Sequence, residues 1–377
     1  MAQPCPWTAP GRRDETAGMT GSGLRVSLLP GLITIMVLIL MSNGCSSNRH
    51  YDPDKPHHTQ DGFKNNYPVE PPDGMDLLSW QWNRWWEGLP KPPKAPIEPT
   101  EPELGFIQNN REDIAVTWVG HATVLLQLNG VNVLTDPQFS ERASPLSFAG
   151  PPRHQRPGVP LKELPCIDAV VLSHAHYDHL DLPSVRALND QAGGPPEFFL
   201  PLGMGAWFTE NVTDGDTTHL TEMDWWEKVS IQGLEVQFLP VQHWSSRTPW
   251  DENEMLWGAW GISSPDFSFF FGGDFGYSPD LNDIGERVEG FDLAAIPIGA
   301  YEPRWFMKSH HVNPEEAVQA HRDIGARQSF AIHWGTFEGL TDEPLDEPPR
   351  KLVKARGDAG LTQKDFRVLQ HGETFRP

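Results

Sequence analysis

The sequence predicts an α/β layered fold for residues 111–377. Alternating apolar residues open this region as hairpin strands, and strand and helix signals then exchange along the rest of it, as in sheets with helices layered on them. Histidines and aspartates fall just past the ends of four apolar stretches. Sites gather at such places in open α/β sheets, because strand ends are rigid while the loops beyond them are free to vary.

Taken in order, Ala115-Val116-Thr117-Trp118-Val119 and Val124-Leu125-Leu126-Gln127-Leu128 alternate as strands, and Val131-Asn132-Val133-Leu134 follows a turn at Asn129-Gly130. Leu182 to Leu188 and Pro314 to His321 are the clearest helices. Asn313 is a good N-cap there, because its side chain can accept a free amide and Pro314 needs no hydrogen-bond partner at the first helical position. No internal repeat is visible.

The whole chain has 377 residues, enough for one large catalytic domain and an N-terminal extension. Lys and Arg total 29 against 51 Asp and Glu, a formal net charge of -22. A surface so acidic excludes broad contact with nucleic acid, whose phosphates need a basic counter-surface. The three cysteines, Cys5, Cys45 and Cys166, are far apart and predict neither a disulfide framework nor a thiolate metal site. Cys166 is expected to be a small apolar residue leading into a strand.

Residues 1–45 read as a secretory signal. Leu28 to Met41 are almost wholly apolar, follow Arg25, and end in Ser42-Asn43-Gly44-Cys45. The run is shorter than the roughly 20 residues of a stable bilayer span. It resembles a bacterial lipoprotein signal, with Cys45 lipidated, although Ser42 stands where a leucine is usual; an uncleaved anchor or a true start at Met19 are the alternatives. This predicts a membrane-associated lipoprotein of the bacterial cell envelope. Residues 46–110 are rich in proline and tryptophan, which resists regular secondary structure and predicts a linker or a strap over the domain. Its Trp80-Gln81-Trp82-Asn83-Arg84-Trp85-Trp86 reads as indoles packed onto the domain, or alternatively as an aromatic patch that meets lipid.

The chemistry is concentrated in Ser173-His174-Ala175-His176-Tyr177-Asp178-His179, which follows the apolar stretch Ala169-Val170-Val171-Leu172. Side chains alternate along a strand, so His174 and His176 project to the same side, and Asp178 and His179 reach a neighbouring point as the chain turns. His243, Asp274 and His333 each sit beyond a further apolar stretch, and Gly272-Gly273 lets the backbone approach at Asp274. A lone histidine is usually a surface or core residue, but imidazoles and carboxylates gathered in this way without a metal would leave buried polar groups unpaired. Histidine and carboxylate without thiolate suit zinc best, with manganese and iron open.

The stretches Thr117-Trp118-Val119-Gly120-His121-Ala122-Thr123, Leu134-Thr135-Asp136-Pro137, His174 to His179, Gln242-His243-Trp244 and Ala331-Ile332-His333-Trp334-Gly335-Thr336 resemble the metallo-β-lactamase superfamily. Residues 291–308, centred on Tyr301, are similar to its branch containing N-acyl-phosphatidylethanolamine-hydrolysing phospholipase D. The resemblance spans residues 114–372 and implies an αββα sandwich of two central sheets flanked by helices. It implies one metal on His174, His176 and His243 and a second on Asp178, His179 and His333, with Asp274 bridging them. Asp178 and Asp274 would be the carboxylates of the chemistry, Tyr177 and His311 would face the substrate phosphate, and two zinc ions would ionise a shared water. His121 and Asp136 read as supports of the ligands or as plain hairpin polar residues.

His310 replaces an expected glutamine, altering headgroup contacts, and Phe275 replaces a threonine, reshaping the rim. The implied substrate is a membrane phospholipid, N-acyl-phosphatidylethanolamine, cut to N-acylethanolamine and phosphatidic acid. Rival readings are a lactonase or other ester hydrolase on the same site, and a non-catalytic metal-binding envelope lipoprotein. The oligomeric state is open, a homodimer included.

Overall fold

The Asn129-Gly130 turn closes the expected hairpin with both residues at positive φ, 52° and 81°, the geometry a two-residue hairpin turn requires. It joins β2 (Thr123–Leu128) to β3 (Val131–Thr135), and β1 (Ala115–Gly120) pairs antiparallel with β2 on the other side. The computed structural model describes residues 48–70, 72–93, 97 and 100–377. The predicted signal segment and Cys45 lie outside the described residues.

The strands form two seven-stranded sheets. In the first, β4 (Ala169–Val171), β5 (Glu197–Pro201) and β6 (Leu220–Met223) extend the opening strands in parallel, and the C-terminal β14 (Thr374–Phe375) edges β1. In the second, β7 (Lys228–Ile231), β8 (Leu234–Leu239), β9 (Ala259–Ser264) and β10 (Phe267–Phe271) are antiparallel, followed in parallel by β11 (Phe291–Pro297), β12 (Ala326–Ile332) and β13 (Phe366–Arg367). The sheets therefore share one plan, an antiparallel meander continued by parallel strands. The sequence shows no such repeat, because strand pairing tolerates any apolar pattern of the right period.

Alternation sorts the core into layers. Val116, Trp118, Val124 and Leu126 pack with Phe238, Trp260 and Phe269 of the second sheet. Val119, Leu125 and Leu134 point the other way and pack with Val185 and Leu188 of α3 (Leu182–Asn189) and Phe208 of α4 (Gly205–Asn211). On the second sheet, α5 (Asp280–Val288), α7 (Pro314–Asp323) and α8 (Glu347–Asp358) contribute Leu281, Ile284, Ala317, Val318 and Leu352 to the larger cluster, and the short α6 (Arg304–Met307) falls between α5 and α7 in the chain. This is the αββα sandwich. Asn313 caps α7 as expected, with a reciprocal bond from Glu316. Cys166 is half-buried and leads into β4, as expected.

The segment before the sandwich corrects another expectation. It was predicted to lack regular structure, yet it forms α1 (Gly74–Glu87) and α2 (Leu104–Asn109). Asp73 caps α1 and Asp76 bonds back to it, so a complete capping box outweighs the prolines, which flank the helix at Pro72 and Pro90 without interrupting it. Of its indoles only Trp80 is buried; it stacks on Phe306 at 4.7 Å and donates to Asp342 at 2.8 Å. Upstream, Asp224 accepts from His57 at 2.7 Å and His58 at 2.9 Å and pairs with Lys55. These bonds fasten residues 48–66 to the sandwich.

Candidate metal centre

Ligand-type side chains collect where both sheets end on the same edge. His121 follows β1, Asp136 follows β3, and His174 to His179 follow β4. From the second sheet, His243 comes after β8, Asp274 after β10 and His333 after β12. His121, Asp136 and His333 hold φ of 52°, 32° and 61°, a region non-glycine residues enter only where the surroundings impose it. The His333 amide donates to the His121 carbonyl at 2.9 Å, tying the two sheets together at the site. At Gly273, φ +59°, a Cβ would meet the Ser173 Cβ at 2.6 Å, so a side chain there would push Asp274 and the His174 loop apart.

Two clusters result. The ligand atoms of His174, His176 and His243 lie within 4.8 Å of one another, as do those of His121, Asp178, His179 and His333. Asp274 stands between them: its Oδ2 is 3.0 Å from His179 Nε2, 3.1 Å from His333 Nε2 and 4.0 Å from His174 Nε2. All seven residues predicted as ligands are thus brought to one place. His121, read from sequence as a support, reaches Asp178 Oδ2 at 3.0 Å, inside the second cluster. Asp136 lies behind, accepting from His179 Nδ1 at 2.6 Å, from the Ser173 amide at 2.7 Å and from the Ser173 hydroxyl at 2.6 Å.

The donor set fits divalent cations. His174 Nε2, His176 Nε2, His243 Nε2 and Asp274 Oδ1 are buried without a hydrogen-bond partner, a costly arrangement unless another group satisfies them. The opposite nitrogens are committed elsewhere: His243 Nδ1 donates to the His310 carbonyl at 2.9 Å and His174 Nδ1 meets Ser173 Oγ at 2.9 Å. Such outer bonds orient an imidazole for coordination.

Charge divides the clusters. Burial, reinforced by neighbouring imidazoles, pushes His174 well below its ordinary pKa; burial also outweighs Asp274 to push His243 well below its own, and it lowers His176 to about 4. These three are neutral, as ligands must be. Burial opposes charge on His333 and His179 too, but the Asp274 and Asp178 carboxylates outweigh it, lifting His333 to about 9 and His179 well above its usual value. Burial likewise works against the two carboxylates, yet the His179 charge beside them holds both well below their usual range.

A cavity of about 830 Å³ opens over the clusters, reached by His176, Asp178, His243 and Asp274. Its lining also includes Val69, Leu77, Trp80, Phe306 and Met307. His311 faces it, its Nδ1 buried without a partner 3.8 Å from Asp274 Oδ2, and burial lowers its pKa to about 4. Tyr177 also lines the cavity, but its hydroxyl donates to the Arg247 carbonyl at 2.8 Å and its ring lies under the Arg247 guanidinium. The expected phosphate-facing hydroxyl is therefore committed to the backbone. His310 lines the cavity, whereas Phe275 is wholly buried in the core and does not shape the rim, contrary to expectation.

One residue of the site had no sign in the sequence. Asn65, from the proline-rich segment, bonds both backbone groups of His243.

Comparison with known proteins agrees with this architecture. Residues 131–334 match the model of the Beta-lactamase superfamily domain. The chain is 43% identical over 280 residues to N-acyl-phosphatidylethanolamine-hydrolyzing phospholipase D 1 of Caenorhabditis elegans, covering 71% of this chain and 77% of that protein. It is 34% identical over 243 residues to the mitochondrial N-acyl-phosphatidylethanolamine-hydrolyzing phospholipase D of Saccharomyces cerevisiae, covering 63% of this chain and 50% of that one. Among solved structures, a metallo hydrolase from the archaeon Ignicoccus hospitalis superposes with a TM-score of 0.52 at 20% identity, over 70% of this chain and 98% of the other.

Proposed function

The chain belongs to the metallo-β-lactamase superfamily as a metal-dependent hydrolase, and on that premise we propose that it is a phospholipase D-type phosphodiesterase acting on N-acyl-phosphatidylethanolamine. The observation that carries the reading is one cavity lined both by residues of the paired clusters and by apolar side chains able to take the acyl chains of a lipid. The likeness to the nematode and yeast phospholipases supports the same substrate.

His174, His176 and His243 would hold one ion, and Asp178, His179 and His333 the second, with Asp274 between them; zinc suits this donor set. Divalent ions bound there supply Lewis acidity and ionise water near neutral pH. The rest falls to the chain. Asp274 Oδ1, buried and without a partner, is placed to take a proton from water as its oxygen joins the phosphorus. Neutral His311 offers a polar contact to the phosphate from the cavity wall. The phosphorus–oxygen bond to the N-acylethanolamine then breaks, that oxygen takes up a proton, and phosphatidic acid remains. The apolar wall formed by buried Trp80 stacked on half-buried Phe306 would exclude water from the chains.

Residues 28–45 support placing the enzyme at the bacterial cell envelope as a lipoprotein, where tether and substrate would share a membrane plane. The test is lipid mass spectrometry after incubating metal-loaded protein with a membrane lipid extract. Release of N-acylethanolamine and phosphatidic acid is expected. No phospholipid product, with turnover of a lactone by the same preparation, would overturn the reading.

A further inference from the structure

A further group of ligand-type side chains lies apart from the centre already described. His57, His58 and Asp224 are all buried, and their ligand atoms lie within 4.8 Å of one another. His57 Nε2 stands 2.7 Å from Asp224 Oδ1, and His58 Nε2 stands 2.9 Å from Asp224 Oδ2. The histidines come from the strap, whereas Asp224 sits on the short connection between β6 and β7, where the chain passes from the first sheet to the second. Aromatic rings fix both imidazoles: Trp225 stacks on His57 at 4.4 Å, and Phe63 meets His58 edge-on at 5.1 Å. The Asp224 backbone is held as well, its amide donating to Glu227 at 2.9 Å. None of these residues belongs to the two clusters of the centre.

Hydrogen bonding alone leaves this group one proton short. His58 Nδ1 lies 2.8 Å from the His50 carbonyl while Nε2 faces the Asp224 carboxylate, so both ring nitrogens meet acceptors, and a neutral imidazole has one proton to give. Were the ring instead an acceptor for the Asp52 amide, at 3.2 Å, Nδ1 would face the nearer carbonyl with no proton between them. A cation on Nε2 resolves the conflict, because Nδ1 then keeps its proton for His50. The same arrangement holds His243, whose Nδ1 donates to the His310 carbonyl at 2.9 Å, and an outer bond of this kind orients an imidazole ligand. We propose that His57, His58 and Asp224 form a third divalent-cation site, which staples the strap to the crossover between the sheets. Zinc bonds of about 2.0–2.1 Å in a tetrahedron set ligand atoms about 3.3 Å apart, so the three need part only slightly around the ion. Lys55 reaches the same carboxylate from a partly exposed position, with Glu227 3.8 Å from its ammonium. That ammonium stands in for the ion in the metal-free chain and swings out to solvent when metal binds, and Glu227 or water completes the coordination. The strap fastened in this way carries Asn65, which bonds both backbone groups of His243, and lines the cavity with Lys64, Asn65 and Tyr67. The third ion therefore steadies the centre from a distance, through the strap.

The test strips the full chain of metal, reloads it with zinc, removes loosely held ions by gel filtration, and counts zinc by elemental analysis in the native chain and in His58→Gln. One more ion per chain is expected in the native protein. That difference depends neither on how many ions the centre holds nor on the substrate, so it stands apart from the reading of function. Cobalt(II) gives a second readout: the native chain should show a step in the visible absorption during titration that His58→Gln lacks. Lys55→Met keeps the three ligands and removes the competing ammonium, so it should bind the additional ion about fivefold more tightly, and it decides the matter where His58→Gln does not fold. Equal zinc content in the native chain and in a folded His58→Gln would overturn the proposal, leaving a staple of hydrogen bonds and any further ion adventitious. A Lys55→Met chain that binds the ion no more tightly than the native one would overturn it too.

Discussion

The side-chain amide of Asn65 closes on both backbone groups of His243: Nδ2 donates to the His243 carbonyl at 2.9 Å, and Oδ1 accepts from the His243 amide at 3.0 Å. A strap that enters 178 residues earlier thereby sets the direction of an imidazole in the first cluster. Neighbouring bonds hold the strap itself, with the Phe63 amide on the Asn253 carbonyl at 2.8 Å and Tyr67 on Asp283 at 2.6 Å. Asn65→Ala should weaken metal affinity by about 10–100-fold, the usual effect of removing a group that orients a ligand. Competition with a chelator measures it, and unchanged affinity would show that the loop is held by other bonds.

Asp136 serves the second cluster from behind, and it is wholly buried. Asp136→Ala would leave the Ser173 amide and His179 Nδ1 without their acceptor, and each unpaired buried donor costs about 1–3 kcal/mol. Thermal unfolding of the metal-free protein should show a loss of that order. A variant as stable as the native chain would mean that water or Ser173 Oγ replaces the carboxylate.

Asp178 Oδ2 faces His121 at 3.0 Å and His333 at 3.4 Å, and it is the carboxylate of the second cluster. Asp178→Asn keeps the shape and removes the charge. Elemental analysis should find bound metal reduced from two ions towards one, with activity lower by about 10²–10³-fold or more, as when a charge-stabilising group is removed from an active site, and an unchanged circular dichroism spectrum. Full activity would contradict the assignment.

Metal uptake should release protons. In the metal-free chain His333 titrates at about 9 against an ordinary 6.5, so the imidazolium contributes stability that is complete below about 6.5 and lost as pH rises through about 9. The metal-free fold should therefore weaken across that window while metal affinity strengthens, since the cation displaces the proton. Calorimetry in buffers of different ionisation enthalpy counts the protons released; none at pH 7.5 would place His333 neutral before binding.

How far the site was legible follows from where its information sits. His174, His176, Asp178 and His179 announce themselves because strand alternation and a tight six-residue spacing are local properties. His243, Asp274 and His333 are visible singly for the same reason, each just past an apolar strand. The capping box at Asp73 and Asp76 is local too, and it could have predicted α1 against the surrounding prolines. Asn65 has no such signal: an asparagine in a proline-rich stretch looks like any turn residue until its partner is known.

The sequence by itself determined the opening strands, the helices at Leu182 and Pro314 and which side chains can bind cations, because backbone period and side-chain chemistry belong to the residues themselves. Only the tertiary structure decided that His121 joins the second cluster, that the Tyr177 hydroxyl turns to the Arg247 carbonyl, that Phe275 is core, and that three indoles of α1 face water while Trp80 does not. Those outcomes depend on which surfaces meet when the two sheets close on each other and the strap crosses them. That choice is made by the summed burial of residues far apart in the chain, and no local pattern carries it.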